Sequence, residues 1–398
     1  MNILQEIMID HYEEIEITCH PRDIVMESIS KMIQCGDPKY GGTLYHCPNC
    51  HIDKFVPFHC HSRFCPSCGV LYSMRRTQSM AFKLISCVHR HCVFTIADNL
   101  RFIFLKHRQL LNLLFDSVNQ VISYYFFMQN KSRKFVPGFI CVLHTFGRDL
   151  KWNPHIHVLL TEGALDSYGL WRPFKYFNYS FLRKSFQMVL LNMLEKALGP
   201  SFKTTKAKIY KHTENGFYVH AKPNNCAPGQ IVKYIGRYLG RPVIATSRID
   251  KYDKENDTVT FHYNRHEDEE YVQETIPSME FIKRLIRHIP DKHFKMIRYY
   301  GLYARPNNFD SRLHRAIAPE KRKAFAVYTT WRGAILSSFG YDPIQCPHCK
   351  TIMLLKEIRK GKNSISLGDM FKKVMRKHGM YHPPPEITHS LVTVNVML

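Results

Sequence analysis

Short apolar runs of two kinds alternate along the middle of the chain. Some are rich in β-branched and aromatic residues, which favours strands, and others repeat apolar residues at helical spacing. The predicted strands are Cys92–Ala97, Gly138–Leu143, His155–Leu160, Gly216–His220 and Thr258–Tyr263. The predicted helices are Phe104–Gln120, Tyr179–Ala197 and one that Ser278 caps and Pro290 stops. We therefore expect an α+β fold with a central antiparallel sheet and helices packed on its face.

Composition divides the chain into three regions. Residues 1–76 hold a cysteine cluster, residues 77–305 hold the alternating strands and helices, and residues 306–398 are basic and contain one more Cys-x-x-Cys pair. We predict a domain for each of the first two regions and a C-terminal extension for the third.

The net charge indicates the kind of partner. The 398 residues include 56 Lys and Arg against 33 Asp and Glu, a net charge of +23. Such an excess favours a polyanion, because each neutralised phosphate releases condensed counterions. A basic ribosomal component is the plain alternative, but such proteins are usually shorter and less apolar. No apolar run is long enough to cross a membrane, and the N-terminus lacks the features of a signal peptide, so we expect a cytoplasmic protein associated with the nucleoid.

Two cysteine pairs in the first region have the spacing of zinc ligands. Cys47 and Cys50 form one Cys-x-x-Cys pair, and Cys65 and Cys68 form the next. Two such pairs predict one tetrahedral four-cysteine zinc site, which is structural because no coordination position stays open. Reduced, unligated thiols are the alternative. The basic residues nearby predict that this module touches DNA.

A third pair, Cys346 and Cys349, stands alone near the end of the chain. It could complete a zinc site with His378 and His382 or with N-terminal histidines, or it could be an incomplete knuckle. The sequence leaves these alternatives open.

Two histidines in a predicted strand could share a metal. His155 and His157 are two residues apart, so in a strand their side chains point to the same face. Alone, such a pair is more often structural than a metal site.

Two tyrosines are spaced to share one face of a helix. Tyr234 and Tyr238 are four residues apart, between Pro228 at the predicted start and Gly240 at the predicted end. Beside them runs a second row of cations, Lys233, Arg237 and Arg241. The cations would hold a DNA backbone while a phenol acts as nucleophile. Taken alone, the pattern is more typical of an amphipathic helix packed on a core.

The order of these motifs resembles one family, the rolling-circle transposases of the insertion sequence ninety-one family, which are two-tyrosine HUH enzymes. The resemblance covers most of the chain and includes the segments His91–Arg101, Leu143–His157, Glu280–Pro290 and Ile297–Tyr303. One position departs from it: many members have His-Pro before the His-x-His motif, where this chain has Asn153 and Pro154.

The resemblance implies a mechanism and its residues. His155 and His157 would hold Mg²⁺ or Mn²⁺, and Tyr234 or Tyr238 would attack single-stranded or hairpin DNA to form a 5′-phosphotyrosine. Related enzymes draw a further ligand from the tyrosine helix, so Gln230 is the expected third ligand, with His144 and Glu162 as rivals. A regular strand would place Glu162 on the opposite face from the two histidines.

Two other functions remain open at this point. A plasmid replication initiator or relaxase would use the same chemistry, although the cysteine cluster and the segment from Glu280 to Tyr303 favour the transposase. A non-enzymatic zinc-containing nucleic-acid-binding protein would bind DNA with the same salt dependence but would form no covalent adduct.

Overall fold

The structure of the protein is a computed structural model. It describes residues 2–85, 87–174, 176–220, 243–265, 268–304, 330, 332–333, 335–336, 340–361 and 363–377. The helices are α1 Ile3–Asp10, α2 Tyr12–Cys19, α3 Asp23–Ile33, α4 Pro66–Lys83, α5 Asp98–Lys106, α6 Leu111–Gln129, α7 Tyr179–Leu198, α8 Lys203–His212, α9 Ser278–Ile286 and α10 Leu367–Lys377. The strands are β1 Gly42–His46, β2 Asp53–Pro57, β3 His89–Thr95, β4 Val136–Phe146, β5 Trp152–Leu165, β6 Trp171–Pro173, β7 Val219–His220, β8 Ile249–Asp253, β9 Thr258–Asn264, β10 Tyr271–Pro277, β11 Ile297–Gly301, β12 Leu354–Lys360 and β13 Asn363–Ser366. The α+β prediction is confirmed.

The chain forms two compact units that do not follow chain order. The larger unit contains residues 1–34 and 60–343, and the smaller unit contains residues 35–59 and 344–398. The sequence predicts boundaries near residues 76 and 305 instead. The difference arises because strands from both ends of the chain pair within the smaller unit.

An antiparallel sheet of six strands lies at the centre of the larger unit. Its order is β11-β4-β5-β3-β7, and β6 pairs with β5. Since side chains alternate along a strand, each strand contributes to two faces. One face carries Phe94, Cys141, Ile156 and Val158, all buried in the main hydrophobic core.

Helices cover that face of the sheet. Buried residues of α6 recur every three or four positions, for example at Leu111, Leu114, Phe115 and Val118, which gives the helix one apolar side for the core. The predicted helix Phe104–Gln120 is interrupted: α5 ends at Lys106 and α6 begins at Leu111. The break lies at His107, whose backbone φ of −117° and ψ of 73° are outside the helical region.

A second, three-stranded sheet follows in the larger unit. Its order is β10-β9-β8, and α9 packs on it through Phe281, whose ring centroid lies 5.5 Å from that of Phe261. The predicted capping role of Ser278 is wrong. Pro277 occupies the N-cap position, and Ser278 is the first helical residue, fully buried.

The smaller unit contains a four-stranded antiparallel sheet of order β13-β12-β1-β2. Strands β1 and β2 form a hairpin, and β12 pairs with the other edge of β1, so that Leu44 lies opposite Glu357. Across the described ranges of both units, the helices include none with the length and apolar character needed to span a membrane.

Candidate active site and metal centres

Three histidines converge on the sheet face opposite the helices. His155 and His157 lie on β5 and point to the same side of the sheet, as their spacing predicts. His144 lies on β4, directly opposite His155 in the strand pairing. One ring nitrogen from each residue lies within 4.8 Å of the others. We call this group the histidine cluster.

Hydrogen bonds orient the two rings of β5 toward each other. Nδ1 of His155 lies 2.7 Å from the backbone oxygen of Asn153, and because that oxygen can only accept, Nδ1 carries the proton. Nε2 of His155 is then the acceptor nitrogen of the ring. It lies 3.1 Å from Nε2 of His157. The other ring nitrogen of His157, Nδ1, forms a hydrogen bond of 2.8 Å with Nε2 of His91 on β3.

This spacing fits a shared divalent metal. Two ligands at adjacent corners of an octahedron lie about 3.0 Å apart when each metal–ligand bond is about 2.1 Å. The observed 3.1 Å between the two Nε2 atoms agrees with that value. Metal-bound histidines usually donate their other ring N–H to a carbonyl or another acceptor, and Asn153 and His91 occupy those positions.

Burial keeps His157 and its neighbour His91 in the neutral form. Burial lowers the pKa of His157 well below its usual range, and the neighbouring His144, His155 and His91 lower it further. Burial also lowers the pKa of His91 to about 3, with smaller contributions from His220 and His155. A neutral imidazole offers a lone pair to a metal, whereas an imidazolium does not.

The described residues favour His144 as the third ligand. The sequence ranks Gln230 above it, but Gln230 lies outside the described residues. Glu162 is excluded as a ligand because it lies on the opposite face of the sheet, as its position in the strand predicts. On that helix-covered face its carboxylate accepts a hydrogen bond of 2.7 Å from Nε of Arg90. His144 itself is only 6% exposed, and its ring centroid lies 4.4 Å from that of His157.

The cysteines form different groups from the one predicted. Cys47 and Cys50 lie with Cys346 and Cys349, and these four sulfurs are within 4.8 Å of one another. Cys65 and Cys68 lie in another group that includes Cys60. The prediction of one zinc site shared by the first two pairs is therefore corrected. The physical reason is the pairing of β12 with β1, which brings the third pair beside the first.

Comparisons with known proteins identify the family. A family profile described as "Putative transposase" matches residues 138–309, and one described as "Transposase zinc-binding domain" matches residues 7–96. The transposase for insertion sequence element IS801 of Pseudomonas savastanoi pv. phaseolicola is 32% identical over 296 residues, which are 71% of this chain and 71% of that protein. The chain belongs to the insertion sequence ninety-one family of transposases.

A second relative and the structural comparison complete these findings. The protein named "Putative transposase y4qJ" of Sinorhizobium fredii (strain NBRC 101917 / NGR234) is 28% identical over 291 residues, 67% of this chain and 71% of that protein. No solved structure matches the chain. The transposase profile spans the histidine cluster, and the zinc-binding profile spans Cys47, Cys50, Cys65 and Cys68. Cys346 and Cys349 lie beyond both matches.

The tyrosine motif of this transposase lies outside the described residues. This holds for Tyr234 and Tyr238, and equally for the predicted phosphate-binding residues Lys233, Arg237 and Arg241. What is described is the strand that leads into this segment. β7 ends at His220, which pairs with Val93 of β3, and Val93 in turn pairs with His157.

Sequence reasoning missed one partner of the histidine cluster, His91, which orients His157. It named His144, a member of the cluster, but ranked it behind Gln230. A signal for His144 does exist, since Ile140, Val142 and His144 alternate along one strand as His155 and His157 do along the next. What the sequence lacks is the register that sets His144 opposite His155.

Proposed function

We propose that this transposase nicks and rejoins single-stranded or hairpin DNA through a 5′-phosphotyrosine, with Tyr234 or Tyr238 as nucleophile, in rolling-circle transposition. The histidine cluster is the observation that carries the proposal, because it brings three imidazoles together on one face of the sheet. Since the chain belongs to a transposase family, its substrate is DNA. A location at the nucleoid in the cytoplasm stays a prediction.

His144, His155 and His157 would hold Mg²⁺ or Mn²⁺. When bound, the metal would act as a Lewis acid on the scissile phosphate. Its ligands are all nitrogens, a set that suits Mn²⁺ better than Mg²⁺, which prefers oxygen. The rigid β4–β5 pairing would fix the distance between the ligands before DNA binds.

The covalent step exchanges one phosphoester for another. The phenol oxygen attacks phosphorus and loses its proton, a phosphotyrosine bond forms, and the bond from phosphorus to the 3′ oxygen breaks. That oxygen takes a proton and leaves as a free 3′-OH. The step needs no ATP because the phosphodiester energy is kept in the covalent link. The second tyrosine allows a second cleavage while the first link persists.

Chain connectivity supports a tyrosine close to the cluster. The paired residues His157, Val93 and His220 lie in one row across three strands, so their side chains share a face. Adjacent strands are about 4.8 Å apart, which puts His220 about 10 Å from His157. The segment with both tyrosines begins directly after His220. Lys233, Arg237 and Arg241 would bind the phosphates that flank the scissile bond.

A covalent-adduct assay tests the proposal. The purified protein is mixed with Mn²⁺ or Mg²⁺ and a labelled single-stranded oligonucleotide from the element's end, then run on a denaturing gel. We expect a metal-dependent shifted band that is lost when Tyr234→Phe and Tyr238→Phe are combined. Tyr218→Phe is the matched control. Tyr218 is an exposed phenol directly before β7, at the edge of the six-stranded sheet, and should be dispensable.

The single variants Tyr234→Phe and Tyr238→Phe then show which tyrosine attacks first. If the oligonucleotide binds but no adduct forms with any metal, the protein is a DNA-binding module and the nuclease proposal is wrong. An adduct that persists in the double variant would also contradict the assignment of the nucleophiles.

A further inference from the structure

Two turns of the smaller unit have the same backbone geometry although they lie at opposite ends of the chain. In the first, the backbone N–H of Cys47 donates to the oxygen of Ile52, and His51 donates to the oxygen of Cys47. In the second, Cys346 donates to the oxygen of Thr351, and Lys350 donates to the oxygen of Cys346.

The repeat extends to the backbone angles and the sequence. The residue after each second cysteine is left-handed, with φ of 60° at both His51 and Lys350. Both turns read Cys-Pro-x-Cys. A left-handed residue other than glycine is uncommon, so its occurrence at the same place in both turns marks one structural motif used twice. We call each of these turns a knuckle, and its Cys-x-x-Cys spacing is that of a zinc-binding pair.

The four sulfurs are spaced for a tetrahedral metal. Sγ of Cys47 lies 3.4 Å from Sγ of Cys349, and Sγ of Cys50 lies 3.4 Å from that of Cys346 and 3.6 Å from that of Cys349. Ligands around zinc at a Zn–S distance of about 2.3 Å lie about 3.8 Å apart. A disulfide would need about 2.05 Å, so these cysteines are thiols held close together.

Strand pairing makes this spacing a property of the fold. β1 leads into the first knuckle and β12 follows the second, and the two strands are paired from Gly42 opposite Arg359 to His46 opposite Leu354. The pairing therefore ends at the two knuckles. The sulfurs of Cys47 and Cys346 are both buried, where four thiols gathered without a metal would gain little.

We propose that Cys47, Cys50, Cys346 and Cys349 bind one structural Zn²⁺ as a tetrathiolate. This site joins segments 302 residues apart in the chain. It is separate from any metal held by Cys60, Cys65 and Cys68 and does not depend on the proposed nuclease chemistry. The metal anchors β12, β13 and α10 to the β1–β2 hairpin. Without the metal, the smaller unit should be unstable, because it is too small to bury a large hydrophobic core.

Zinc content measured by native mass spectrometry tests the proposal. We expect the variant Cys346→Ser/Cys349→Ser to carry one zinc ion fewer than the wild type. The variant Cys47→Ser/Cys50→Ser should lose the same ion, so combining all four substitutions should remove no second one. Cys19→Ser, which lies outside both cysteine groups, is the matched control and should keep the wild-type zinc content.

Hydrogen exchange tests whether the cysteine variant loses zinc only because the whole protein unfolds. In Cys346→Ser/Cys349→Ser, the amides of β1 and β12 should lose protection, while those of β4 and β5 in the larger unit should keep it. Full zinc content in this variant would overturn the proposal. So would the loss of two ions in the fourfold variant, since the pairs would then bind separate metals. If β4 and β5 also lose protection, the variant Cys349→His replaces the double variant. This substitution keeps a metal ligand and should retain the zinc ion. Loss of zinc from Cys349→His would also overturn the proposal.

Discussion

Nε2 of His91 lies 2.8 Å from Nδ1 of His157, and the two rings are stacked with an interplanar angle of 11°. His91 thereby fixes which nitrogen of His157 faces His155. Since His91 is on β3 and His157 on β5, the strand pairing transmits the position of one ring to the other. His91 is a positioning residue in our interpretation, with no place among the metal ligands.

We expect His91→Ala to weaken Mn²⁺ binding by about 10- to 100-fold, the usual cost of losing the partner that orients a ligating histidine. His91→Gln should recover part of the affinity, because its side-chain oxygen can accept the Nδ1–H of His157. Titration calorimetry with Mn²⁺ measures both. His262→Ala, on the three-stranded sheet, is the control, and unaltered affinity in His91→Ala would refute the positioning role.

Two variants distinguish between the candidates for the third metal ligand, His144 and Gln230. If His144 completes the cluster, His144→Ala should abolish tight Mn²⁺ binding, while Gln230→Ala should change affinity less than threefold. The reason is that His144 is already within ligand distance of His155 and His157. Binding measured without DNA decides between them. The reverse ranking would restore the sequence-based choice of Gln230.

His288 predicts a pH dependence of stability. This ring accepts a hydrogen bond at Nδ1 from Thr145, 3.1 Å away, and donates from Nε2 to the oxygen of Leu150, 2.9 Å away. Burial lowers its pKa from 6.5 to about 3. The unfolded state therefore binds one more proton between these pH values, so this contribution is complete above pH 6.5 and is lost as pH falls toward the folded-state pKa.

Urea unfolding between pH 6.5 and pH 4 measures this effect. The free energy of unfolding of the wild type should fall by about 1.4 kcal/mol per pH unit more steeply than that of His288→Phe, which cannot titrate. Other buried histidines affect both proteins alike. Equal slopes would show that His288 is protonated in the folded protein.

Tyr303 stabilises the start of β3 through a buried hydrogen bond. Nδ1 of His89 donates to the oxygen of Cys87, so its Nε2 accepts from the Tyr303 hydroxyl at 2.6 Å. Tyr303→Phe leaves that nitrogen without a donor and should lower the free energy of unfolding by about 1–3 kcal/mol. Chemical denaturation provides the measurement. Tyr271→Phe removes an exposed hydroxyl and should stay within about 0.5 kcal/mol of the wild type; equal effects would contradict this role.

Periodicity predicted what depends on neighbouring residues in the chain. The alternation in β5 places His155 and His157 on one face and Glu162 on the other, as expected, because the two-residue repeat is a property of any strand. The break at His107 was not predictable, since the apolar spacing of Phe104–Gln120 continues across it. Backbone angles at a single residue decide such a break, and they depend on tertiary packing.

Pairing between distant residues was beyond the sequence alone. The Cys-x-x-Cys spacing predicted that the first two pairs share a zinc site and left the third pair open. Three pairs allow several combinations, and chain proximity favoured Cys65 and Cys68 as partners for Cys47 and Cys50. The actual partner, Cys346 with Cys349, depends on the registration of β12 against β1. Local patterns contain no information about that registration.

The placement of β1 between β2 and β12 has a consequence for the order in which the protein is made. The ribosome completes β1 early, yet the strand that covers its second edge and the cysteines that close its thiol group emerge only some 302 residues later. Throughout that interval the nascent hairpin has an unpaired edge, and the thiols of Cys47 and Cys50 lack their two partner cysteines. The first part of the smaller unit to be synthesised is thus among the last to mature, after the strands of the larger unit have already left the ribosome.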